Sequence, residues 1–129
     1  MGLLDKLFGV STDQKEQKVL PWILLTEQSQ LDDIVMKSNS KAQIIFKHST
    51  RCGISRMVKN RFEEDFNLNQ NEGDLYYLDL ISFRDVSNEI AYKFQVMHES
   101  PQILVIKNGL AVVHASHGAI NDIDLGKFI

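Results

Sequence analysis

The chain has 129 residues, 43% of them apolar, which suits one compact domain and leaves little room for a second. No run approaches the ~20 apolar residues that cross a membrane, and no signal-peptide pattern opens the sequence. A formal net charge of -3 gives no reason to expect nucleic-acid binding, and a single cysteine excludes an internal disulfide. We therefore expect a cytoplasmic protein in a reducing compartment.

The chain divides into a polar arm and a folded domain. Residues 1–18 form the N-terminal arm, which we expect to be mobile or a short helix. Residues 19–129 carry the periodic apolar patterns of a single domain.

The first half of the domain alternates strands and helices. Val19 to Leu25 is an apolar run in which Pro21 suits an edge strand, and Thr26 then resembles a helix N-cap. Ala42 to Lys47 predicts a buried strand that leads into Cys52. The helix that follows shows an apolar stripe of Ile54, Met57, Val58, Phe62 and Phe66.

A third strand and a third helix follow. Leu75 to Leu80 is apolar enough for a buried strand, and Ser82 with Asp85 resembles a capping box that uses Asp in place of Glu. The helical stripe after it consists of Phe83, Val86, Ile90 and Phe94.

The chain ends with a predicted hairpin and a short helix. Gln102 to Lys107 and Leu110 to Ser116 are strands joined by Asn108-Gly109, a strong two-residue turn signal. Asn121 is predicted to cap the last helix. The order β-α-β-α-β-α-β-β-α predicts an α/β fold with a mixed central sheet of about five strands and helices on both faces.

Cys52 lies where a buried strand meets a helix, in a basic part of an acidic chain. The unpaired N–H groups of the first helical turn favour the thiolate over the thiol. No acidic residue occurs at positions 34–62, whereas seven of the 14 Lys and Arg do. Lys47, Arg51 and Arg56 are predicted to stabilise the thiolate. These features favour a reactive thiol over a buried, inert cysteine.

The segment Cys52-Gly53-Ile54-Ser55 has the form of a C-x-x-C redox motif whose second sulfur is replaced by oxygen. Ser55 cannot attack a mixed disulfide, so the chemistry must stop at a mixed disulfide on Cys52 until an outside thiol resolves it. Ser55 either donates a hydrogen bond to the thiolate or satisfies the backbone of the first helical turn. Both interpretations stay open.

The four histidines do not form a recognisable site. His48, His98, His114 and His117 lack the spacing of zinc ligands. A Cys–His pair with His98 or His48 is conceivable, but no oxyanion-hole motif accompanies it. Surface or structural roles are the default for all four.

Three segments occur in a fixed order within residues 20–129: Phe46-Lys47-His48-Ser49-Thr50-Arg51-Cys52-Gly53-Ile54-Ser55, His98-Glu99-Ser100-Pro101-Gln102, and Ala115-Ser116-His117. Together with the order of elements, they resemble the YtxJ-like monothiol bacilliredoxin family of the thioredoxin superfamily. The resemblance implies a thioredoxin-like fold in which Pro101 is cis and packs beside the reactive sulfur. It also implies that Ser100 pairs with the substrate backbone and that Gly118 lies near the same groove.

The same resemblance implies a monothiol thiol–disulfide oxidoreductase that removes bacillithiol from S-bacillithiolated proteins. Cys52 would attack the mixed disulfide, release the client protein and keep bacillithiol until a second bacillithiol molecule resolves it. Bacillithiol is then a co-substrate, client proteins are the partners, no bound cofactor or metal is expected, and the protein is expected to be a monomer. The family typically has Cys-Pro-Ile-Ser, from which Gly53 departs.

Two positions near the cysteine refine the expected chemistry. Phe46 stands where thioredoxin-like dithiol enzymes have a buried aspartate that transfers protons, and its absence agrees with a monothiol cycle. Arg51 stands where thioredoxin has tryptophan. Because the malyl group of bacillithiol carries two carboxylates, we hypothesise that Arg51, with Lys47 or Arg56, binds it. The alternative is that these side chains are solvated charges.

Two other functions remain open at this point. Cys52-Gly53-Ile54-Ser55 resembles the Cys-Gly-Phe-Ser motif of monothiol glutaredoxins, which carry an iron–sulfur cluster. Against this, the longer loop before the cysteine is missing, and His117-Gly118 stands in place of a Gly-Gly pair. The other possibility is a non-catalytic thioredoxin-like module that binds partners through its cis-proline groove.

Overall fold

The computed structural model describes residues 19–129, and the predicted arm of residues 1–18 lies outside this range. Within it, strands alternate with helices as the sequence predicts, and the order ends in a hairpin. The elements are β1 (Trp22–Leu24), α1 (Ser29–Lys37), β2 (Ala42–His48), α2 (Gly53–Asp65), β3 (Gly73–Asp79), α3 (Arg84–Phe94), β4 (Gln102–Lys107) and β5 (Leu110–Ser116). Two 3-10 helices follow, His117–Asp122 and Leu125–Phe128.

The five strands form one mixed sheet in the order β1-β3-β2-β4-β5. Strand β3 pairs in parallel with β1 and with β2, as helical crossovers require. Strand β4 runs antiparallel to both β2 and β5. The predicted α/β class with a mixed sheet of about five strands is confirmed.

Helices cover both faces of this sheet. On one face, α1 and α3 pack against β2, β3 and β4 through the buried side chains Leu31, Ile34, Ile45, Tyr76, Leu78, Val86, Ile90, Phe94, Leu104 and Ile106. On the other face lie α2 and the first 3-10 helix, with Ala42, Ile44, Phe46, Val58, Phe62, Phe66, Leu75, Ile103, Val105 and Ile120. Strand β2 is central and all seven of its residues are buried, which explains its continuous apolar run.

The hairpin between β4 and β5 has the predicted turn. Asn108 and Gly109 have φ angles of 53° and 79°, the left-handed conformations that such a two-residue turn requires. Both backbone N–H groups of the turn donate to Ser38, at the end of α1. The hairpin is therefore fastened to the helix as well as to the sheet.

Helix α1 begins later than the sequence predicts. It starts at Ser29, and the Gln30 side chain accepts hydrogen bonds from the N–H groups of Thr26 and Glu27 at 2.8 and 3.0 Å. The predicted N-cap role of Thr26 is therefore wrong, because its N–H donates to Gln30 and its side chain does not cap the helix. Gln30, in the first turn of the helix, reaches back to N–H groups that precede the helix, as the Glu or Gln of a capping box does.

Helix α2 buries part of the predicted apolar stripe. Val58, Phe62 and Phe66 are buried as predicted, whereas Ile54 and Met57 are 63% and 69% exposed. Ser55 is fully buried in their place, because positions 55, 58 and 62 share one face of the helix and positions 54 and 57 are rotated away from it. The Ser55 hydroxyl can be buried there because it has hydrogen-bond partners inside the protein.

The other two predicted caps are also wrong. Ser82 does not cap α3, because its hydroxyl donates to Asp79, which also accepts from the N–H of Ile81. Asn121 lies inside a 3-10 helix, and Asp124 is the residue that caps the next one by accepting from Gly126. In both cases, a nearby aspartate forms the turn.

Gly109→Ala should lower the free energy of unfolding by about 1–2 kcal/mol, because an L side chain is strained at this φ even though Val35 leaves space for the methyl group. Gly118→Ala is the matched control, since a Cβ there meets nothing within 4 Å and φ is not left-handed. Chemical denaturation of both variants measures the difference. Equal stability of the two variants would show that the turn conformation is unimportant.

Candidate functional site

Cys52 occupies the N-cap position of α2. Its backbone is extended, with φ -106° and ψ 120°, and the side chain is half-buried. The Cys52 N–H donates to the Ser49 carbonyl at 3.2 Å, and the Cys52 carbonyl accepts from Arg56 at 3.1 Å. The sulfur forms no capping hydrogen bond, so it remains free to react at the positive end of a 13-residue helix.

Ser55 lies beneath this cysteine with no exposed surface. Its Oγ accepts a hydrogen bond from the N–H of Ser49 at 3.1 Å and lies 2.7 Å from His48 Nδ1. Of the two interpretations of Ser55, these contacts favour the one in which it satisfies the backbone of the turn. The predicted direct bond to the Cys52 thiolate is not among them.

His48, for which the sequence analysis took a surface or structural role as the default, is a buried member of the site. Its ring packs against Tyr77, with ring centroids 5.7 Å apart. Burial, then the charge of Lys59 and more weakly that of Arg56, lowers the pKa of His48, against the opposing charges of Asp79 and Glu63. The signal was available in the alternation of β2, because position 48 shares a face with the apolar positions 44 and 46.

Lys47 requires a correction to its predicted role. It points to the opposite face of the sheet from His48, where it is fully buried, and its Nζ donates to the Ser87 carbonyl at 3.2 Å. Its second partner is His98 Nδ1 at 3.3 Å. Adjacent strand residues face opposite sides, so nearness to Cys52 in sequence does not bring this ammonium to the sulfur.

The ammonium of Lys47 determines the state of its neighbour. Burial lowers the pKa of Lys47 from 10.5 to about 8, and the side chain has no ion-pair partner within residues 19–129. An ammonium can only donate, so His98 Nδ1 must accept and its ring hydrogen lies on Nε2. Burial and the positive charges of Lys47 and Arg84 lower the pKa of His98, and Glu99 opposes them.

Arg51 and Arg56 are the cations that remain close to the thiol. Both side chains are exposed, and neither forms an ion pair in the described part of the chain. A Cβ built on Gly53 would lie 3.9 Å from a guanidinium nitrogen of Arg56, which therefore extends over the helix start. By contrast, Lys59 and Arg61 on the same helix are paired with carboxylates four residues later.

The loop before β4 reaches the same end of the sheet. The Ser100–Pro101 peptide bond is cis, and Pro101 is buried and accepts a hydrogen bond from the N–H of His117 at 3.0 Å. Gln102 pairs with Lys47 across β4 and β2, close to where β2 ends and the cysteine turn begins. The hydroxyl of Ser100 is buried and has no hydrogen-bond partner among residues 19–129. The cysteine turn and the Ser100–Pro101 loop thus share one edge of the molecule.

Gly118 does not have the conformation that would require a glycine. The left-handed residue of this turn is His117, with φ 56°, and Gly118 is exposed with open space around it. The structure therefore gives no backbone reason for a glycine at position 118. His117 is the residue whose backbone touches Pro101.

Residues 19–129 contain no group of three or more His, Cys, Asp or Glu that could hold a metal ion. No helix within this range is long and apolar enough to cross a membrane.

Comparison with known proteins gave one family and one fold. The sequence model of the monothiol bacilliredoxin BrxC matches residues 23–125. A solved structure described as an oxidoreductase with a thioredoxin fold is 34% identical, with a TM-score of 0.68, over 81% of this chain and 90% of that one. Thioredoxin from Schistosoma mansoni is 17% identical, with a TM-score of 0.63, over 84% of this chain and 95% of its own. Thioredoxin from Malassezia sympodialis is 16% identical, with a TM-score of 0.61, over 86% and 90% respectively.

Lys47→Met should raise the free energy of unfolding at pH 7 by on the order of 1–3 kcal/mol, because it removes a buried ammonium without a counter-charge. Between pH 8 and 10.5 the unfolded lysine binds the proton that the folded one has lost, so the stability of the wild type rises with pH in this window.

Urea unfolding at several pH values measures both effects. The rise between pH 8 and 10.5 should vanish in Lys47→Met and persist in Lys37→Met, which removes an exposed lysine. A rise of the same size in both variants would contradict the burial of the Lys47 charge.

Proposed function

Because the chain belongs to the monothiol bacilliredoxin family, we propose that it removes bacillithiol from S-bacillithiolated proteins through a mixed disulfide on Cys52. The observation that carries the proposal is an accessible sulfur at a helix N-terminus whose motif partner, Ser55, is an oxygen held beneath it. A dithiol enzyme would expel its substrate with that second residue. Here, the resolving thiol must come from solution.

The reaction consists of two thiol–disulfide exchanges. The Cys52 thiolate attacks the bacillithiol sulfur of the modified client, the client sulfur leaves as a thiolate, and solvent supplies its proton. A second bacillithiol thiolate then attacks the bacillithiol sulfur bound to Cys52. The products are bacillithiol disulfide and the regenerated Cys52 thiolate. The sulfur of the second bacillithiol is oxidised to the disulfide level as the client sulfur is reduced to a thiol, and the first bacillithiol sulfur stays in a disulfide throughout.

The loop before β4 is the proposed binding strand for the client. Ser100 precedes the cis bond to Pro101, and its hydroxyl is buried without a partner among the described residues. An orphaned buried hydroxyl is costly, and a substrate group at this place would satisfy it. Gly118, exposed beside His117, completes this side of the proposed groove.

Arg51 is the proposed ligand of the malyl carboxylates of bacillithiol. It is exposed one residue before the cysteine and has no ion-pair partner in residues 19–129. Arg56 extends over Gly53 and is the natural second cation. Lys47 is removed from this role by its burial on the other face of the sheet.

We further propose that the protein works as a cytoplasmic monomer with bacillithiol as co-substrate and no bound cofactor. The single thiol and the family membership support this setting. The rival function, carriage of an iron–sulfur cluster, predicts a coloured protein after anaerobic reconstitution with iron and sulfide.

Incubation with bacillithiol disulfide should add the mass of one bacillithiol to the protein, on Cys52, because that sulfur is the nucleophile. Intact-mass and peptide mass spectrometry measure the adduct and its position. Added free bacillithiol should then remove it.

Cys52→Ser is the control and should give no adduct under the same conditions. Absence of an adduct on the wild type would overturn the proposal. A brown protein containing iron after reconstitution, and without an adduct, would establish the rival function instead.

Arg51→Ala should raise KM for a bacillithiolated client about 5- to 30-fold, the loss expected for one charge-assisted contact, with kcat little changed. Arg61→Ala is the matched control, because Arg61 lies on α2 and forms an exposed pair with Asp65. Steady-state de-bacillithiolation measures both. Equal KM values for Arg51→Ala and the wild type would refute the malyl contact.

A further inference from the structure

A series of hydrogen bonds links His48 to Cys52 through the Ser55 hydroxyl and the backbone of Ser49. His48 Nδ1 lies 2.7 Å from Ser55 Oγ, which accepts the N–H of Ser49 at 3.1 Å. The carbonyl of the same Ser49 accepts the N–H of Cys52 at 3.2 Å. His48 and Ser55 are 5% and 0% exposed, so both are shielded from competing water. The turn that carries the sulfur is thereby fastened to the end of β2 and to the first turn of α2.

Whether the Ser55 hydroxyl donates to or accepts from His48 depends on the protonation state and tautomer of the His48 ring. The Ser55 oxygen has two lone pairs and one hydrogen, and the N–H of Ser49 occupies one lone pair. When His48 is neutral with its hydrogen on Nε2, the Ser55 hydroxyl donates to Nδ1. When Nδ1 carries a hydrogen, it donates to the second lone pair, and the hydroxyl hydrogen is released from this bond. Cys52, three residues earlier, lies on the same side of the helix start.

We propose that His48 is a positioning residue for Cys52, acting through the Ser55 hydroxyl and the Ser49 turn. The inference rests on the proposed function only in that Cys52 is the nucleophile. It assigns His48 as the hydrogen-bond partner of Ser55, the serine of the motif. While the chain of bonds is intact, the sulfur stays at the N-terminus of α2, where the helix favours the thiolate.

Charged groups on two elements face His48. Lys59, Arg56 and Glu63 come from α2, and Asp79 comes from β3 beside the ring of Tyr77. Burial and the two cations outweigh the carboxylates, so the pKa of His48 lies below 6.5 and the ring is neutral at neutral pH. As the pH falls and the ring gains a proton, its charge and the released Ser55 hydrogen both favour the Cys52 thiolate.

Alkylation of Cys52 by iodoacetamide tests this with a probe that needs no bacillithiol. The thiolate attacks the carbon of the reagent and iodide leaves, so the second-order rate reports the thiolate and its position. Below pH 6.5, the logarithm of the rate should fall less steeply with decreasing pH in the wild type than in a variant whose residue 48 cannot titrate, because protonation of His48 offsets part of the loss of thiolate.

Three variants separate the effect of the His48–Ser55 hydrogen bond on the position of Cys52 from the effect of protonating His48. His48→Phe should react about three- to tenfold more slowly at pH 8, the loss expected for one buried hydrogen bond. Below pH 6.5, its rate should fall more steeply with decreasing pH than that of the wild type. His48→Asn can still form a hydrogen bond with Ser55 but cannot titrate. It should therefore react at pH 8 nearly as fast as the wild type, and below pH 6.5 its rate should fall as steeply as that of His48→Phe. Ser55→Ala should react as slowly as His48→Phe. The double variant that carries both changes should react no more slowly than either single variant.

His114→Phe, which replaces an exposed histidine on β5, is the control and should behave as the wild type. Additive losses in the double variant, or a shallow acid limb that survives in His48→Asn, would overturn the inference. If His48→Phe does not fold, Ser55→Ala and His48→Asn still decide it. Failure of bacillithiol disulfide to form an adduct on Cys52, with these profiles as expected, would overturn the proposed function and leave the positioning role intact.

Discussion

Burial of β2 on both faces is the constraint on which the site depends. All seven residues of this strand are enclosed between α2 on one side and α1 with α3 on the other. Two polar residues at its end, Lys47 and His48, therefore lie inside the protein and on opposite faces. Each must find internal partners, because a buried polar group without hydrogen bonds costs about 1–3 kcal/mol. Their partners shape the two halves of the site.

The two halves differ in what they do for the thiol. On the α2 face, His48 binds Ser55 beneath the cysteine turn. On the α3 face, Lys47 binds His98, which leads by three residues into the cis-proline loop. One strand end thus supports the turn that carries Cys52, the proposed nucleophile, and the loop proposed to hold the client. The exposed arginines at positions 51 and 56 add charge from outside, since neither is neutralised within the described residues.

Much of the architecture could be predicted because it follows from apolar periodicity and turn chemistry. The sheet, its mixed pairing and the Asn108-Gly109 turn follow from patterns of two and of 3.6 residues. The position of Cys52 at the start of a helix follows from the same patterns. Helix caps were mispredicted because several polar side chains compete for each helix end, as Gln30 does with Thr26. Only the first part of the predicted α2 stripe was wrong, because a serine with internal partners can be more buried than isoleucine or methionine. The prediction that Lys47 stabilises the thiolate was wrong for a geometric reason, since distance along the sequence does not show which side of a strand a residue faces.

Gly53 has a consequence for the unfolded chain as well as for the folded site. As the first residue of α2, it occupies the position at which proline is best tolerated in a helix, and the nearest atom to a Cβ there is the flexible end of Arg56 at 3.9 Å. A glycine adds backbone freedom to the denatured ensemble, and folding must remove that freedom. The folded turn before α2 is therefore held by its hydrogen bonds rather than by restriction of the chain itself. A family member with proline at this place begins folding with part of that order already built into its covalent structure.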